Sequence, residues 1–248
     1  MPGLARAQAF LDSLRQAKTA DQLGDTLSEI AERMGFAYFA LTHHVDPVAS
    51  SAAIRLHNYP ELWAEWFDAN QLGATDPVHR ASQGTHVGFA WSELDHMIRL
   101  TDCDNAVLDR ARREGIGDGV TIPAHVPGEM SGSCSFAVRP DRDLPDDILP
   151  IAQLVGAFAF EAARRIGGQR LIVLDPVPAL TARQRECVLW MARGKTDWEI
   201  AQILGVGHET VVEHLKQARE RYDVPKRSLL AVRVLFDGQI TFGEVFQR

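Results

Sequence analysis

The residues best suited to chemistry lie in two short segments of the chain, of which the first is aromatic. Tyr59, Trp63, Trp66 and Phe67 stand at i, i+4, i+7 and i+8, a spacing that gathers side chains on one face of a helix. Asp76 follows after a short loop. Buried indole N–H and phenol O–H groups need hydrogen-bond partners, and a buried carboxylate needs a donor. The set is typical either of a plain aromatic core or of a pocket for a small polar molecule.

Three further residues extend this candidate pocket. Trp91 follows Gly88-Phe89-Ala90, and Thr121 and Ser135 lie on predicted strands. An indole and two hydroxyls would add both walls and hydrogen-bonding groups. Together with the first segment, these residues are the ones that could face a bound molecule.

The second segment is a predicted helix near the C-terminus. One apolar stripe, spaced at i, i+4, i+7 and i+11, is expected to be buried: Val211, Leu215, Ala218 and Tyr222. A helix of this length fits the major groove of DNA, and a hydroxyl at its start can bind phosphate. A protein-interaction module with ordinary solvated charges is the alternative. The candidate DNA-binding residues are Thr210, Val212, Glu213, Lys216 and Arg219.

No segment has the spacing of a catalytic or metal site. His43 and His44 are adjacent on a predicted strand, so their side chains point to opposite faces and cannot chelate one ion together. Metal-ligand spacing such as HExxH does not occur among His57, His79, His86, His96 and His125. The alternating serines of Ser131–Ser135 are typical of a hydrogen-bonded sheet face and not of a nucleophile elbow. We therefore expect neither an enzyme nor a metal or cofactor.

The composition is that of a folded protein. The 248 residues are 46% hydrophobic and carry 26 basic and 33 acidic side chains, a net charge of -7. These values exclude collagen, coiled-coil and disordered classes. The longest apolar stretch is too short for a membrane helix, and the N-terminus does not read as a signal peptide. Three sparse cysteines (Cys103, Cys134 and Cys187) indicate reduced thiols, so we expect a cytoplasmic protein with no membrane partner.

The elements that position the first segment follow from the spacing of apolar residues. Helical spacing predicts helices over Ala7–Ala17, Ala20–Met34, Pro60–Ala69, Asn105–Glu114 and Ile148–Ile166. Strands are predicted over Ala37–Val45 and Ala52–Leu56, with a hairpin of Gly119–Val126 and Ser131–Val138 around Pro127-Gly128. Because the strands are joined locally, we expect an α/β/α sandwich around an antiparallel sheet.

The C-terminal part is predicted to be a four-helix, all-α domain, which makes the whole chain α+β. Its helices are Ala182–Arg193, Trp198–Leu204, Glu209–Tyr222 and Ser228–Leu235. The glycine turn Gly205-Val206-Gly207 between the second and third is typical of a helix-turn-helix. Prolines keep Asp175-Pro176-Val177-Pro178 extended. We therefore expect a ligand-binding domain over 1–168, a linker over 169–179 and a DNA-binding domain over 180–248.

Motifs in the C-terminal part carry a family resemblance. The run Leu180-Thr181-Ala182-Arg183-Gln184-Arg185-Glu186-Cys187-Val188-Leu189 is followed by Gly194-Lys195, Glu199-Ile200-Ala201, Leu204-Gly205-Val206 and Thr210-Val211-Val212-Glu213-His214-Leu215. In this order the motifs resemble the LuxR-type (GerE-like) DNA-binding domain over nearly all of Leu180–Leu235. The resemblance implies that Val212 and Lys216 face base edges.

The chain departs from this family at several positions. The family usually has Glu where Gln184 stands, a small hydroxyl residue near Gly207, and often a basic residue near Glu209 or Val212. Glu209 and Glu213 place two carboxylates on the face meant for polyanionic DNA. They either accept a hydrogen bond from a cytosine amino group or weaken binding.

Motifs in the N-terminal part resemble a second domain. Asn58-Tyr59-Pro60, Trp63, Asp76-Pro77, Trp91, Gly119-Val120-Thr121-Ile122-Pro123, Gly132 and Ser135 resemble the autoinducer-binding domain of quorum-sensing LuxR-type regulators, over roughly Ala20–Ile166. The resemblance implies an N-acyl-homoserine lactone as ligand. Trp63 would donate to the lactone carbonyl and Asp76 would accept from the amide N–H. Tyr59 and Ser135 would hold the acyl carbonyl, and Trp91 with apolar neighbours would enclose the ring and the tail. Phe67 stands where the family commonly has Tyr. The ligand-binding residues that the resemblance implies are Tyr59, Trp63, Phe67, Asp76, Trp91, Thr121 and Ser135.

Together the two resemblances imply a ligand-dependent transcription regulator that binds promoter DNA as a homodimer, with RNA polymerase as a further partner. The helices Ile148–Ile166 and Ser228–Leu235 are the candidate interface segments. Whether the protein activates or represses stays open. The alternative is a LuxR-like antagonist that pairs with an active regulator and does not itself bind DNA.

Overall fold

The computed structural model describes residues 2–44, 53–126, 130–167 and 178–247. Contacts divide the chain into two compact units, Met1–Leu171 and Ile172–Arg248. The predicted α+β class is confirmed: the first unit combines helices with an antiparallel sheet, and the second is helical. Most of the predicted linker, and the predicted turn at Pro127-Gly128, lie outside the described residues.

A five-stranded antiparallel sheet forms the middle layer of the first unit. Its strands are β1 (Tyr38–His43), β2 (Arg55–His57), β3 (Phe89–Ala90), β4 (Gly119–Ala124) and β5 (Gly132–Ala137), in the spatial order β2-β1-β5-β4-β3. In β5, Ser135 lies opposite Ala40 on one side and Thr121 on the other. Because side chains alternate along a strand, these three residues face the same side of the sheet.

The other face of the sheet packs on the long helices α2 (Ala20–Met34) and α7 (Leu149–Ile166), and α1 (Pro2–Gln16) packs against these two helices. The core between them buries large apolar side chains, including Phe10, Leu14, Leu27, Phe39, Ile122 and Phe136. A Cβ on Gly156 would stand 2.8 Å from the Cβ of Ile122, so glycine lets α7 approach β4 closely. Neither α7 nor any other described helix is long and apolar enough to cross a membrane.

Short helices cover the face that carries Ser135. They are α3 (Glu61–Ala69), α4 (Pro77–Ser82), α5 (Leu94–Met97) and α6 (Asp102–Arg113). The sequence did not predict α4, α5 or β3, which contain two to six residues and are too short to show a period. The strand predicted from Ala52 begins at Arg55 among the described residues.

The second unit contains the four predicted helices and a fifth. They are α8 (Ala182–Ala192), α9 (Asp197–Leu204), α10 (His208–Arg221), α11 (Arg227–Phe236) and the additional α12 (Phe242–Phe246). Gly205, at φ 64°, ends α9 in the left-handed region that glycine tolerates. Helices α8, α9 and α12 each begin with a capping box. The cap of α9 fixes where the helix-turn-helix, α9 and α10, begins.

Candidate functional site

The cavity of the first unit lies between the sheet and the short helices. Its lining is mainly apolar, and the space between the lining atoms is about 980 Å³ with its open mouth included. Six of the seven predicted ligand residues line it: Tyr59, Trp63, Phe67, Asp76, Trp91 and Ser135. Thr121, the seventh, is fully buried and does not line the cavity. The structure thus brings together side chains that the sequence spreads over more than seventy residues.

Helix α3 places two of these aromatic residues. Trp63 and Phe67 are one turn apart, their ring centroids are 5.8 Å apart, and Trp63 is buried. Trp66 packs against Trp63 with ring centroids at 5.4 Å but does not line the cavity. The prediction that Tyr59 shares this helix face was wrong, because Pro60 is the N-cap and the helix begins at Glu61. Tyr59 reaches the cavity from the preceding loop.

Asp76 is both the N-cap of α4 and part of the cavity wall. It is buried, and its Oδ1 accepts a hydrogen bond from the backbone N–H of His79 at 2.9 Å. Among the described residues only Oδ1 of this carboxylate has a hydrogen-bond partner. Burial, and secondarily the charge of Asp76, raises the pKa of Tyr59, so that phenol stays a neutral donor.

A chain of hydrogen bonds connects the wall at Trp91 with Ser135. The Trp91 indole N–H donates to Thr121 Oγ1 at 2.8 Å, and the Thr121 and Ser135 hydroxyls are 2.8 Å apart. Because Thr121 is fully buried, its own proton is best satisfied by donating to Ser135. The Ser135 O–H is then left to donate into the cavity. Thr121 therefore connects two lining residues, Trp91 and Ser135, without lining the cavity itself.

A histidine cluster next to this wall escaped the sequence analysis. The rings of His44 and His79 stack with centroids 4.0 Å apart, and His44 Nε2 lies 2.9 Å from Ser133 Oγ. Burial, followed by the nearby His79, lowers the pKa of His44 to about 2. Sequence spacing does not reveal this cluster, because His44 and His79 are 35 positions apart and meet only through the stacking of their rings. No group of residues in the described ranges is suited to hold a metal ion.

The second predicted site is the face of α10. Val211, Leu215, Ala218 and Tyr222 are buried, as the stripe predicted. Thr210, Val212, Glu213 and Lys216 are exposed together on the other side. Arg219 differs from them because its guanidinium donates to the carbonyl of Pro225 at 3.1 Å and so is tethered to the loop after the helix.

Comparison with known proteins decides what these two units are. Residues 19–163 match the family model described as "Autoinducer binding domain", and residues 178–234 match "Bacterial regulatory proteins, luxR family". The chain belongs to the LuxR family. It is a quorum-sensing transcriptional regulator with an autoinducer-binding and a DNA-binding domain.

Individual LuxR-family relatives are similar in sequence to this chain over most of its length. The transcriptional activator AhyR of Aeromonas hydrophila is 30% identical over 86% of this chain and 83% of its own length. LuxR of Aliivibrio fischeri is 26% identical over 94% of both chains. A solved structure of SdiA in complex with octanoyl-rac-glycerol is 25% identical, with a TM-score of 0.56 and 96% of both chains covered.

The family assignment gives the cavity its general role, since an autoinducer-binding domain holds a small molecule. In this LuxR-family chain the polar groups of the residues that line the cavity include an indole, a phenol, a carboxylate and a hydroxyl, within mainly apolar walls. Such a site can bind a ligand that has a compact polar head and an apolar tail.

Proposed function

We propose that this LuxR-family regulator binds an N-acyl-homoserine lactone in the cavity of its first unit and promoter DNA through α10 as a homodimer. The proposed ligand-binding domain is 1–168, the linker 169–179 and the DNA-binding domain 180–248. Transcription would require contact with RNA polymerase as a further partner.

One pattern of hydrogen-bonding groups carries the ligand proposal. The Trp63 indole N–H and Asp76 Oδ2 have no hydrogen-bond partner among the described residues, and the relay from Thr121 leaves the Ser135 O–H free to donate. All three residues line one cavity, so they can offer a donor, an acceptor and a donor to a ligand. The lactone carbonyl, amide N–H and acyl carbonyl of an acyl-homoserine lactone are an acceptor, a donor and an acceptor. The two sets are complementary.

The rest of the cavity suits an acyl tail. Apolar side chains, among them Leu72, Val78, Val107 and Ile116, line it beside Phe67 and Trp91. Tyr59 would assist Ser135 at the acyl carbonyl, and Phe67 would pack on the ring without donating. The SdiA complex with octanoyl-rac-glycerol supports an eight-carbon chain as a starting length, and octanoyl glycerol is an informative comparison because it has no amide N–H.

The DNA proposal rests on exposed groups of α10. Val212 and Lys216 would face base edges, Glu213 would accept from a base amino group, and Thr210 would bind phosphate near the helix start. Arg219 would act through the loop that it tethers. The helices α7 and α11 are the proposed dimer segments, and exposed apolar side chains on both support this: Leu154, Leu229 and Val232.

The antagonist alternative has one observation in its favour. The Glu209 side chain is 94% exposed at the start of α10, where a phosphate would approach. An antagonist would pair with an active regulator and bind no DNA.

A thermal and DNA-binding assay separates these functions. The full-length protein is melted with N-octanoyl-homoserine lactone, with octanoyl glycerol and without ligand, and is then used to select sites from randomised duplex DNA. We expect the lactone to raise Tm more than the glycerol ester and to support selection of a two-fold site. If lactones of several chain lengths leave Tm unchanged, the ligand proposal is wrong. If lactone raises Tm but no DNA is selected, the antagonist function replaces DNA binding.

A further inference from the structure

A line of amide side chains runs from the start of α8 to the exposed face of α10. Gln184 is buried and Glu213 is exposed, and Gln217 lies between them. Gln184 Nε2 donates to Gln217 Oε1 at 3.1 Å, and Gln217 Nε2 donates to Glu213 Oε1 at 2.9 Å. These three residues are here called the amide relay.

The direction of every hydrogen bond in the amide relay is fixed by one backbone group. The N–H of Thr181 donates to Gln184 Oε1 at 3.1 Å as part of the capping box of α8. A backbone N–H can only donate, so the oxygen of Gln184 must face Thr181 and its NH₂ must face Gln217. Gln217 must then present its oxygen to Gln184 and its NH₂ to Glu213. The relay therefore ends in a donor directed at the carboxylate.

Glutamate at position 184 would reverse this arrangement. One of its oxygens would still accept from Thr181 N–H, but the other could only accept from Gln217. Gln217 would turn its NH₂ inward and present its oxygen to Glu213, where two acceptors repel. The residue that departs from the family pattern is thus the one that lets Gln217 donate to Glu213.

We propose that Gln184, acting through Gln217, holds the Glu213 carboxylate in place and thereby sets the base preference of α10. Gln184 is a positioning residue, and the group that meets the base is Glu213. With Oε1 held by Gln217, the other oxygen of Glu213 accepts from a base amino group, most directly that of cytosine in the major groove. This inference rests on the proposed DNA-binding function.

The relay makes an unusual prediction for substitutions at position 213. In Glu213→Gln the amide oxygen of the new glutamine still accepts from Gln217. Its NH₂ group then takes the place of the carboxylate oxygen that faced the base, so a base with an acceptor, such as guanine, is preferred. In the double variant Gln184→Glu/Glu213→Gln the relay runs in reverse. The NH₂ of the new glutamine donates to Gln217, its oxygen faces the DNA, and the preference for cytosine returns.

The experiment measures how the full-length variants bind two DNA duplexes. One is the site that the wild type selects, and the other is the same site with the base pair contacted by Glu213 exchanged. A good base contact discriminates roughly 5- to 150-fold. We expect Gln184→Glu to lose at least fivefold of the wild-type preference, Glu213→Gln to invert it and the double variant to restore it. Gln217→Met keeps the bulk, breaks both hydrogen bonds and should match Gln184→Glu even if the latter folds poorly. Gln247→Glu adds the same charge in the same unit and should change nothing.

Side-chain amide NMR of the free protein provides a readout that does not depend on DNA. The Gln217 NH₂ resonances should shift in both Gln184→Glu and Glu213→Gln and stay in place in Gln247→Glu. Wild-type preference in Gln184→Glu, or a double variant without rescue, overturns the inference while leaving DNA binding intact. If the wild type selects no DNA, the inference fails together with the proposed function, and unshifted Gln217 resonances would show that the relay itself is absent.

Discussion

In the proposed lactone complex, Asp76 combines a structural and a binding task in one carboxylate. Its Oδ1 caps α4 through the N–H of His79, and the residue also lines the cavity, where its second oxygen has no partner among the described residues. Substitution by alanine would remove both functions, so loss of ligand response alone would not show which one failed.

Asparagine separates the two tasks of Asp76. Its amide oxygen can keep the cap, and Asn is as good an N-cap as Asp. The NH₂ group would then face the ligand amide N–H, donor against donor. We expect Asp76→Asn to unfold near the wild-type temperature and to lose roughly 5- to 150-fold in lactone affinity, a cost of about 1–3 kcal/mol. Asp76→Ala should lose affinity and also about 1 kcal/mol of stability. Calorimetric titration and thermal melting measure both, and full lactone affinity in Asp76→Asn would show that the carboxylate is only a cap.

Phe67 offers the opposite kind of test, since a hydroxyl is added. The ring packs between Trp63 at 5.8 Å and His79 at 5.9 Å in the cavity wall. Phe67→Tyr should leave lactone affinity unchanged or raise it, because the new hydroxyl projects from a ring that already lines the cavity. Titration of both proteins with the same lactone measures the change. A tenfold weaker complex would mean that the ligand packs against the Phe67 ring edge with no room for oxygen.

At the scale of elements, the junction of β1, β5 and α4 depends on a neutral histidine. His44 follows β1, lies 2.9 Å from Ser133 Oγ of β5 and stacks on His79 of α4. Burial and the neighbouring histidines lower its pKa to about 2 from the ordinary 6.5. The unfolded chain therefore binds a proton below pH 6.5 that the folded chain does not, and folding stability must fall as pH falls.

The shifted pKa of His44 makes the free energy of unfolding depend on pH to a measurable extent. Between pH 7 and pH 5, His44 should lower the free energy of unfolding by about 2 kcal/mol, most of it below pH 6.5. Urea unfolding at several pH values should show the loss, and His44→Gln should flatten it. His96→Gln is the matched control because the His96 side chain is 84% exposed. Equal slopes in wild type and His44→Gln would mean that His44 is not held neutral.

Long elements were predictable from the sequence and short ones were not. The stripe of α10 showed its buried face directly, and α2 begins at Ala20 and ends at Met34 as the spacing predicted. Helix α4 has only six residues, and its Asp76-Pro77 start was interpreted as a ligand contact after a loop. Two-residue β3 has no period at all.

For the candidate sites too, some residues could be predicted from the sequence and others could not. The sequence indicated six residues that line one cavity. Thr121 faces the same side of the sheet as Ser135 but is fully buried, with its hydroxyl bonded to the Trp91 indole, and this tertiary contact is not visible in the sequence. The contact of Gln184 with Gln217 joins positions 33 residues apart and depends on how α8 packs against α10. Such pairs arise from tertiary packing and leave no local pattern.

At the scale of the whole molecule, a net charge of -7 gives the chain no general attraction to DNA. Binding would then depend on the few groups that α10 presents. A ligand that fills the cavity of the first unit binds the folded state and not the unfolded chain, so it must stabilise the fold.

The size of that stabilisation follows from mass action. At a free lactone concentration 100 times Kd, the free energy of unfolding of the first unit should rise by about 2.7 kcal/mol. Thermal melting over a lactone titration measures the rise. Trp63→Phe retains the aromatic bulk without the indole N–H and should need more lactone for the same shift. An identical titration curve in that variant would place the lactone carbonyl elsewhere.

The most direct test of the account compares two ligands that differ in one group. In an ester analogue of N-octanoyl-homoserine lactone, an oxygen replaces the amide N–H while shape, ring and tail are kept. Asp76 would then face an acceptor in place of a donor. Calorimetric titration of the wild-type protein should give at least tenfold tighter binding of the amide than of the ester, and Asp76→Asn should lose this difference. Equal affinity of the wild type for both ligands would contradict the proposal that the cavity binds an acyl-homoserine lactone whose amide N–H donates to Asp76.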